Sequence, residues 1–230
     1  MRWSEVASYI NVLRTLLKGE DAEWSGATIR MLHPGGFGAA RPVDIPILIG
    51  ADGPMGAAVA AELGDGIFSV AIPQPGASTF TPWRALLSFG TVFDEGEDLN
   101  SQRVRDVLGP AAVVVYHATY ERGGEAVDLL PGGAEWRKSI EAVPIATRHL
   151  ALHEGHLVGV SERDQPFVDG LLSLASEMSL TGTPREIRDR LDRLESAGVT
   201  EIAFQPGGDD LSRELRAFSC AAGLQGCEEA

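Results

Sequence analysis

The chain has 230 residues, 44% of them hydrophobic and 23% charged, so it is long enough for one large domain or two small ones and has a globular rather than a disordered composition. Nineteen Lys and Arg against thirty-three Asp and Glu give a net charge of −14, which repels nucleic acid and anionic membranes and counts against both as partners. No run approaches the eighteen consecutive apolar residues of a membrane span, and Met1-Arg2-Trp3-Ser4-Glu5 opens no targeting pattern, so a soluble, cytoplasmic protein is expected. Cys220 and Cys227 are the only cysteines. They match neither a disulfide framework nor a thiolate zinc site, and free thiols are the plainer expectation.

In chain order, Val6, Ile10, Leu13, Leu16 and Leu17 recur at helical spacing and predict an amphipathic helix over 4–18, stopped at Gly19. Four glycines and two prolines from Trp24 to Pro42 predict loop, with at most one short extended piece at 27–32. Ile47-Leu48-Ile49, the turn Gly50-Ala51-Asp52-Gly53-Pro54, the Ala-rich stretch 55–63 and Ile67-Phe68-Ser69-Val70 then read as strand, turn, helix and strand. Such a unit implies a parallel pair with a crossover helix.

A Pro/Gly-rich loop at 73–82 precedes helices expected at 83–90 and 98–108, and Ala111-Ala112-Val113-Val114-Val115-Tyr116-His117 reads as a strand apolar on both faces. Residues 123–180 exceed what a crossover needs and are expected to form a lid-like insertion, with a helix at 164–178. Thr183-Pro184-Arg185-Glu186 supplies an N-cap, a proline at N1 and a capping-box glutamate for a helix that ends at Gly198. A strand at 200–205, a turn at 206–209 and a helix at 211–222 complete the pattern. Four strands separated by helices, at 46–50, 67–71, 111–117 and 200–205, predict an α/β fold with a parallel sheet.

Several stretches could carry chemistry. The glycine turns at 50–54 and 206–208 follow strands and enter helices, where backbone N–H groups and the helix dipole bind anions; the alternative is that Gly50, Gly53, Gly207 and Gly208 only make tight turns. His149, His153 and His156 fall on one face if helical and could hold zinc with an open fourth position, although His153-Glu154-Gly155-His156 is not the zinc-protease spacing and Gly155 weakens the helix. A polar lid is the plainer reading, and no metal is expected. His117 ends the 111–117 strand, where a barrel strand meets ligand, and is the candidate catalytic residue; a core histidine is the alternative. Tyr120 and Glu121 lie close by. No nucleophile elbow, Walker loop or dinucleotide fingerprint is present, which counts against a serine hydrolase or a nucleotide-driven enzyme.

Three stretches together resemble the luciferase-like monooxygenase superfamily, TIM-barrel enzymes that use FMN or a deazaflavin. They are Tyr9-Ile10-Asn11-Val12-Leu13-Arg14-Thr15-Leu16-Leu17-Lys18-Gly19-Glu20, then Ile45 to Pro54 with Ala60-Ala61-Glu62-Leu63-Gly64-Asp65-Gly66, and Leu180-Thr181-Gly182-Thr183-Pro184 with Ala197-Gly198-Val199-Thr200-Glu201-Ile202. The resemblance covers most of the chain as the carboxyl-terminal half or more of a typical member. It implies an incomplete (β/α)8 barrel, 1–230 as one partial domain, whose four strands correspond to the fifth to eighth.

By the same resemblance Gly50, Ala51, Asp52, Gly53 and Pro54 lie along the coenzyme, with Ser69 near its phosphate-bearing tail and Gly207 and Gly208 closing the same face. The implied coenzyme is a deazaflavin (coenzyme F-420) or FMN, the implied reaction a hydride transfer at its ring, with or without oxygen insertion, and the partner a small-molecule substrate. Because a complete barrel takes about 250 residues, four strands imply a fragment, a barrel completed by a second copy or by a complementing N-terminal half, or an open half-barrel. A catalytically silent binding or assembly module is the rival expectation, and a zinc hydrolase built on the three histidines a third.

Overall fold

The first helix, α1 (Trp3–Lys18), is the expected amphipathic one, and Gly19 ends it in the left-handed conformation at φ 89°. The computed structural model describes residues 2–34, 36–70, 72 and 83–224; the loop expected at 73–82 lies outside them. The chain divides into two units, residues 1–87 with 196–203, and residues 88–195 with 204–230. Among the described residues no helix is long and apolar enough to cross a membrane.

In the first unit, β1 (Ala22–Trp24) and β2 (Ala27–Ile29) form an antiparallel hairpin where only one extended piece was expected. Its loop is Ser25-Gly26, and both residues have positive φ, 52° and 79°, the two-residue geometry that matches strand twist. β3 (Leu48–Gly50), α2 (Pro54–Leu63) and β4 (Gly66–Ser69) follow as the predicted strand–helix–strand unit, with β3 and β4 parallel. Ile10, Ile49 and Ala60 are buried together, and Trp3, Val6, Val59, Leu63 and Ile67 pack around them. Gly56 is required here: a Cβ would stand 2.5 Å from the Trp3 ring, so its absence lets α1 settle on α2. Arg14 donates to the Leu63 carbonyl and to Asp65, both at 2.9 Å, and Asp65 also accepts from the Ile47 N–H at 2.8 Å. That backbone hydrogen bond, reinforced by Arg14, holds the Asp65 carboxyl below the usual range.

Two sequence expectations fail at the next step. Residues 83–90 are not helical: Arg84–Phe89 is a strand, β5, parallel to β4 and burying Ala85 and Leu86. The 111–117 strand does not exist, because those residues lie inside a 22-residue helix, α3 (Gln102–Gly123). The β-branched run Val113 to Val115 costs a helix only tenths of a kcal/mol per residue. Burial all round the middle of the helix, from Val107 to Val113 and again at Tyr116 and His117, outweighs that preference. The sheet still has four strands, in the order β3-β4-β5-β6 with β6 at Glu201–Gln205, so the α/β class and the parallel arrangement hold while one strand changes identity.

The core of the second unit forms around α3. Leu108, Ala112, Val113 and Tyr116 meet Val127, Trp136, Ile140, Leu152, Val168, Leu171, Leu172 and Ala175. These come from a 3-10 turn at Gly124–Leu129, α4 (Gly133–Glu141), α5 (Arg148–Leu152) and α6 (Val168–Glu177). Tyr116 stacks on Trp136 with ring centroids 5.1 Å apart and planes at 12°. α7 (Pro184–Ser196) begins with the predicted capping box: the Thr183 N–H donates to Glu186 at 2.8 Å, and the Glu186 N–H donates to the Thr183 hydroxyl at 3.3 Å. α8 (Leu211–Ala221) starts where Asp210 accepts from the Arg213 N–H. Cys220, on α8, is disulfide-bonded, which overturns the free-thiol expectation. Among the described residues, therefore, no cysteine is free.

Candidate functional site

In the first unit, the turn after β3 is set by side chains on both sides of it. The Ala51 N–H donates to the Phe68 carbonyl at 3.0 Å, and the Ser69 hydroxyl donates to the Ala51 carbonyl at 3.0 Å. Asp52 accepts from the Val70 N–H at 2.9 Å. The ends of β3 and β4 are thus tied together beyond the strands themselves. Gly50 and Gly53 have no heavy atom within 4 Å of where a Cβ would stand, and neither has positive φ. Their missing side chains therefore serve neither strain nor packing, and they leave the backbone open to an approaching ligand. Pro54 occupies the first turn of α2, and Gly53 caps the helix without a side-chain hydrogen bond. The arrangement, with an accessible main chain, a fixed carboxylate and a helix N-terminus, suits the hydroxyl-bearing and anionic parts of a coenzyme chain.

Gly207 and Gly208, in the second unit, have a different explanation. A Cβ at Gly207 would stand 2.9 Å from the Val107 carbonyl and one at Gly208 would stand 2.8 Å from its Cγ2, so these glycines let the turn lie against α3. Beside them is a cavity of about 20 Å³ lined by Phe89, Val107, Pro110 and Gln205 among others, which is room for one water. A coenzyme does not fit in it.

Two further groups of polar side chains converge in the second unit. His117 is on α3, not at a strand end, and only 1% exposed; its Nε2 lies 3.3 Å from Asp164 Oδ2. Asp164, fully buried, also accepts from Trp136 Nε1 and the Ser161 hydroxyl, each at 2.7 Å. Burial alone would raise its carboxyl, but the hydrogen bonds from His117, Ser161 and Trp136 outweigh burial and hold it below the usual range. One ring nitrogen each of His117, His153 and His156 lies within 4.8 Å of the others. His153 caps α5 and faces Glu121 Oε1 at 2.9 Å. The third histidine expected for such a set, His149, is exposed and is not one of the three. Sequence reasoning missed the partnership because it read 111–117 as a strand; the i, i+4 pair His117 and Glu121 was the available signal.

A second polar cluster surrounds Glu214 of α8. It accepts from the Thr91 hydroxyl and from Arg103 at 2.7 Å, and from Arg213 at 3.0 Å. Arg103 also grips Glu97, whose carboxyl that hydrogen bond pulls down to about 2.

These features place the chain in a class before any individual relative is considered: an α/β protein with a parallel sheet and an open β3–α2 turn, whose residues 2–82 match the family model described as luciferase-like monooxygenase. The resemblance read from the sequence is supported by that match. Among curated proteins, a 5,10-methylenetetrahydromethanopterin reductase from Archaeoglobus fulgidus is 26% identical over 217 residues, which are 90% of this chain and 61% of that protein. Among solved structures, the coenzyme F-420 dependent tetrahydromethanopterin reductase from Methanopyrus kandleri aligns over 96% of this chain and 61% of its own, at 17% identity and a TM-score of 0.49. The chain thus spans about three fifths of the length of the curated relative it matches.

Proposed function

We propose that this chain is an oxidoreductase of the luciferase-like kind and that the turn from Gly50 to Pro54, with Ser69, holds a deazaflavin or FMN. The observation that carries the reading is the family match over residues 2–82, which contains the β3–α2 turn, where an open main chain leads into a helix N-terminus. The reductase relative favours hydride transfer to a small-molecule carbon centre over oxygen insertion.

When bound, the coenzyme supplies the hydride chemistry; the protein's part is binding and orientation. Gly50 and Gly53 admit the ligand to the backbone. Ser69 fixes the Ala51 carbonyl, and the Val70 N–H aims the Asp52 carboxylate, so the turn is organised before binding. Asp52 accepts hydrogen bonds from ligand hydroxyls, while the α2 N-terminus favours the anionic tail. Ala51, buried, anchors the turn to the sheet.

The test is a fluorescence titration of the purified chain with FMN and with the deazaflavin, with its mass measured by light scattering. Saturable binding by a defined homo-oligomer, or on addition of a complementing N-terminal half, followed by reduction of the bound coenzyme, supports the proposal. Absence of binding to either coenzyme in any assembly state refutes it. Binding without turnover would instead mark a silent coenzyme-binding module.

A further inference from the structure

The geometry points to a transition-metal site in the second unit, in which His117, His153 and His156 hold one divalent ion, zinc being the best fit, and Asp164 orients His117 from behind. It uses none of the coenzyme-turn residues, Gly50 to Pro54 and Ser69.

The assignment rests first on tautomers. A carboxylate only accepts, so the His117 nitrogen facing Asp164 carries the proton, and the lone pair falls on Nδ1. That Nδ1 is buried and has no hydrogen-bond partner. An orphaned acceptor on a side chain 1% exposed costs free energy unless something occupies it. His153 repeats the pattern: its Nε2 faces Glu121, which leaves Nδ1 as the free lone pair. The backing of metal-bound histidines by carboxylates is the usual second layer of such sites.

Distance supports the same conclusion. Three nitrogens no more than 4.8 Å apart share a point within about 2.8 Å of each, against a Zn–N bond of about 2.0–2.1 Å. With His117 fixed, movement of about 1 Å by each of the two exposed rings, His153 and His156, closes the gap. The turn that carries them is tight: the His156 N–H donates to the His153 carbonyl at 3.2 Å, and Gly155 has φ 72°. Asp164 and Glu121 oppose the ion's charge from the His117 and His153 sides, and Arg163, 3.7 Å from Asp164 and 4.0 Å from Glu154, partly offsets them. Three imidazoles leave a fourth position for water or a small anion.

The test uses the full chain without an affinity tag, stripped with chelator and titrated calorimetrically with Zn²⁺, with Co²⁺ absorption in the visible reporting coordination. One ion per chain is expected, with His153→Ala and His156→Ala each weakening binding at least tenfold and His149→Ala leaving it unchanged. Asp164→Asn should weaken it by about 10–100-fold; should that buried variant fail to fold by circular dichroism, the two exposed variants decide. Uptake of well under one ion per chain, or a His153→Ala/His156→Ala double variant that binds as tightly as the parent, would overturn the site.

Discussion

Replacing Glu214 by Gln tests whether the buried ion cluster holds the second unit together. The carboxylate is 2% exposed and accepts three hydrogen bonds, from Thr91, Arg103 and Arg213. Gln preserves shape and one acceptor but removes the charge and turns an amide N–H₂ toward a former donor. Breaking one side of a fully buried ion pair costs about 3–5 kcal/mol. Here the loss is smaller, because the Arg103 and Arg213 side chains are 28% and 18% exposed and keep Glu97, Asp94 and the Val92 carbonyl as partners. About 2 kcal/mol is therefore expected, equivalent to a fall of roughly 4–8 °C in melting temperature for a chain of this size. Urea denaturation followed by far-ultraviolet circular dichroism measures it. A loss below about 0.5 kcal/mol, the range of neutral surface changes, would mean that the arginines are held by Glu97 and Asp94 alone and that the reasoning is wrong.

Glu97 gives the acid limb of the same cluster. Its carboxyl is lowered from 4.5 to about 2 by Arg103, so the unfolded chain binds the proton more readily; its contribution is complete above pH 4.5 and fades as pH falls toward 2. Glu97→Gln should flatten the stability profile in that window, and an unchanged profile contradicts the assignment. Gly90→Ala should be severe, because φ is 148° and a Cβ would stand 2.2 Å from the Leu180 carbonyl oxygen; a loss of about 3 kcal/mol or more is expected in urea melts. Gly50→Val tests the coenzyme turn: with open space at its Cβ it should cost under about 0.5 kcal/mol in stability while reducing coenzyme affinity at least tenfold in the fluorescence titration.

The parts of the fold readable in the sequence were those governed by local rules. The Thr183–Glu186 box and the Gly19 stop are each fixed by residues within a few positions of one another, and the β3–α2–β4 unit by neighbours in one short crossover. Residues 84–89 and 111–117 exchanged roles because short apolar runs look alike until their neighbours are known. Arg84–Phe89 is a strand because β4 offers it a parallel partner, and the 111–117 run is helical because Ala112, Val113 and Tyr116 are buried with Trp136, Ile140 and Leu171. The histidine set followed the same course. His153 and His156 were visible, but with His149 as the third member; His117 reaches them only through tertiary packing 36 residues upstream of His153.

The stacking of Tyr116 on Trp136 also equips the molecule with its own gauge. Of the four tryptophans, Trp136 alone is fully buried, and its indole N–H is bound to Asp164 while its ring centre lies 5.8 Å from that of His117. Its emission is therefore expected to lie at the blue edge of the protein's fluorescence and to change when the histidine pocket is filled or opened. Occupancy of that pocket becomes an optical signal that needs no label, no substrate and no coenzyme.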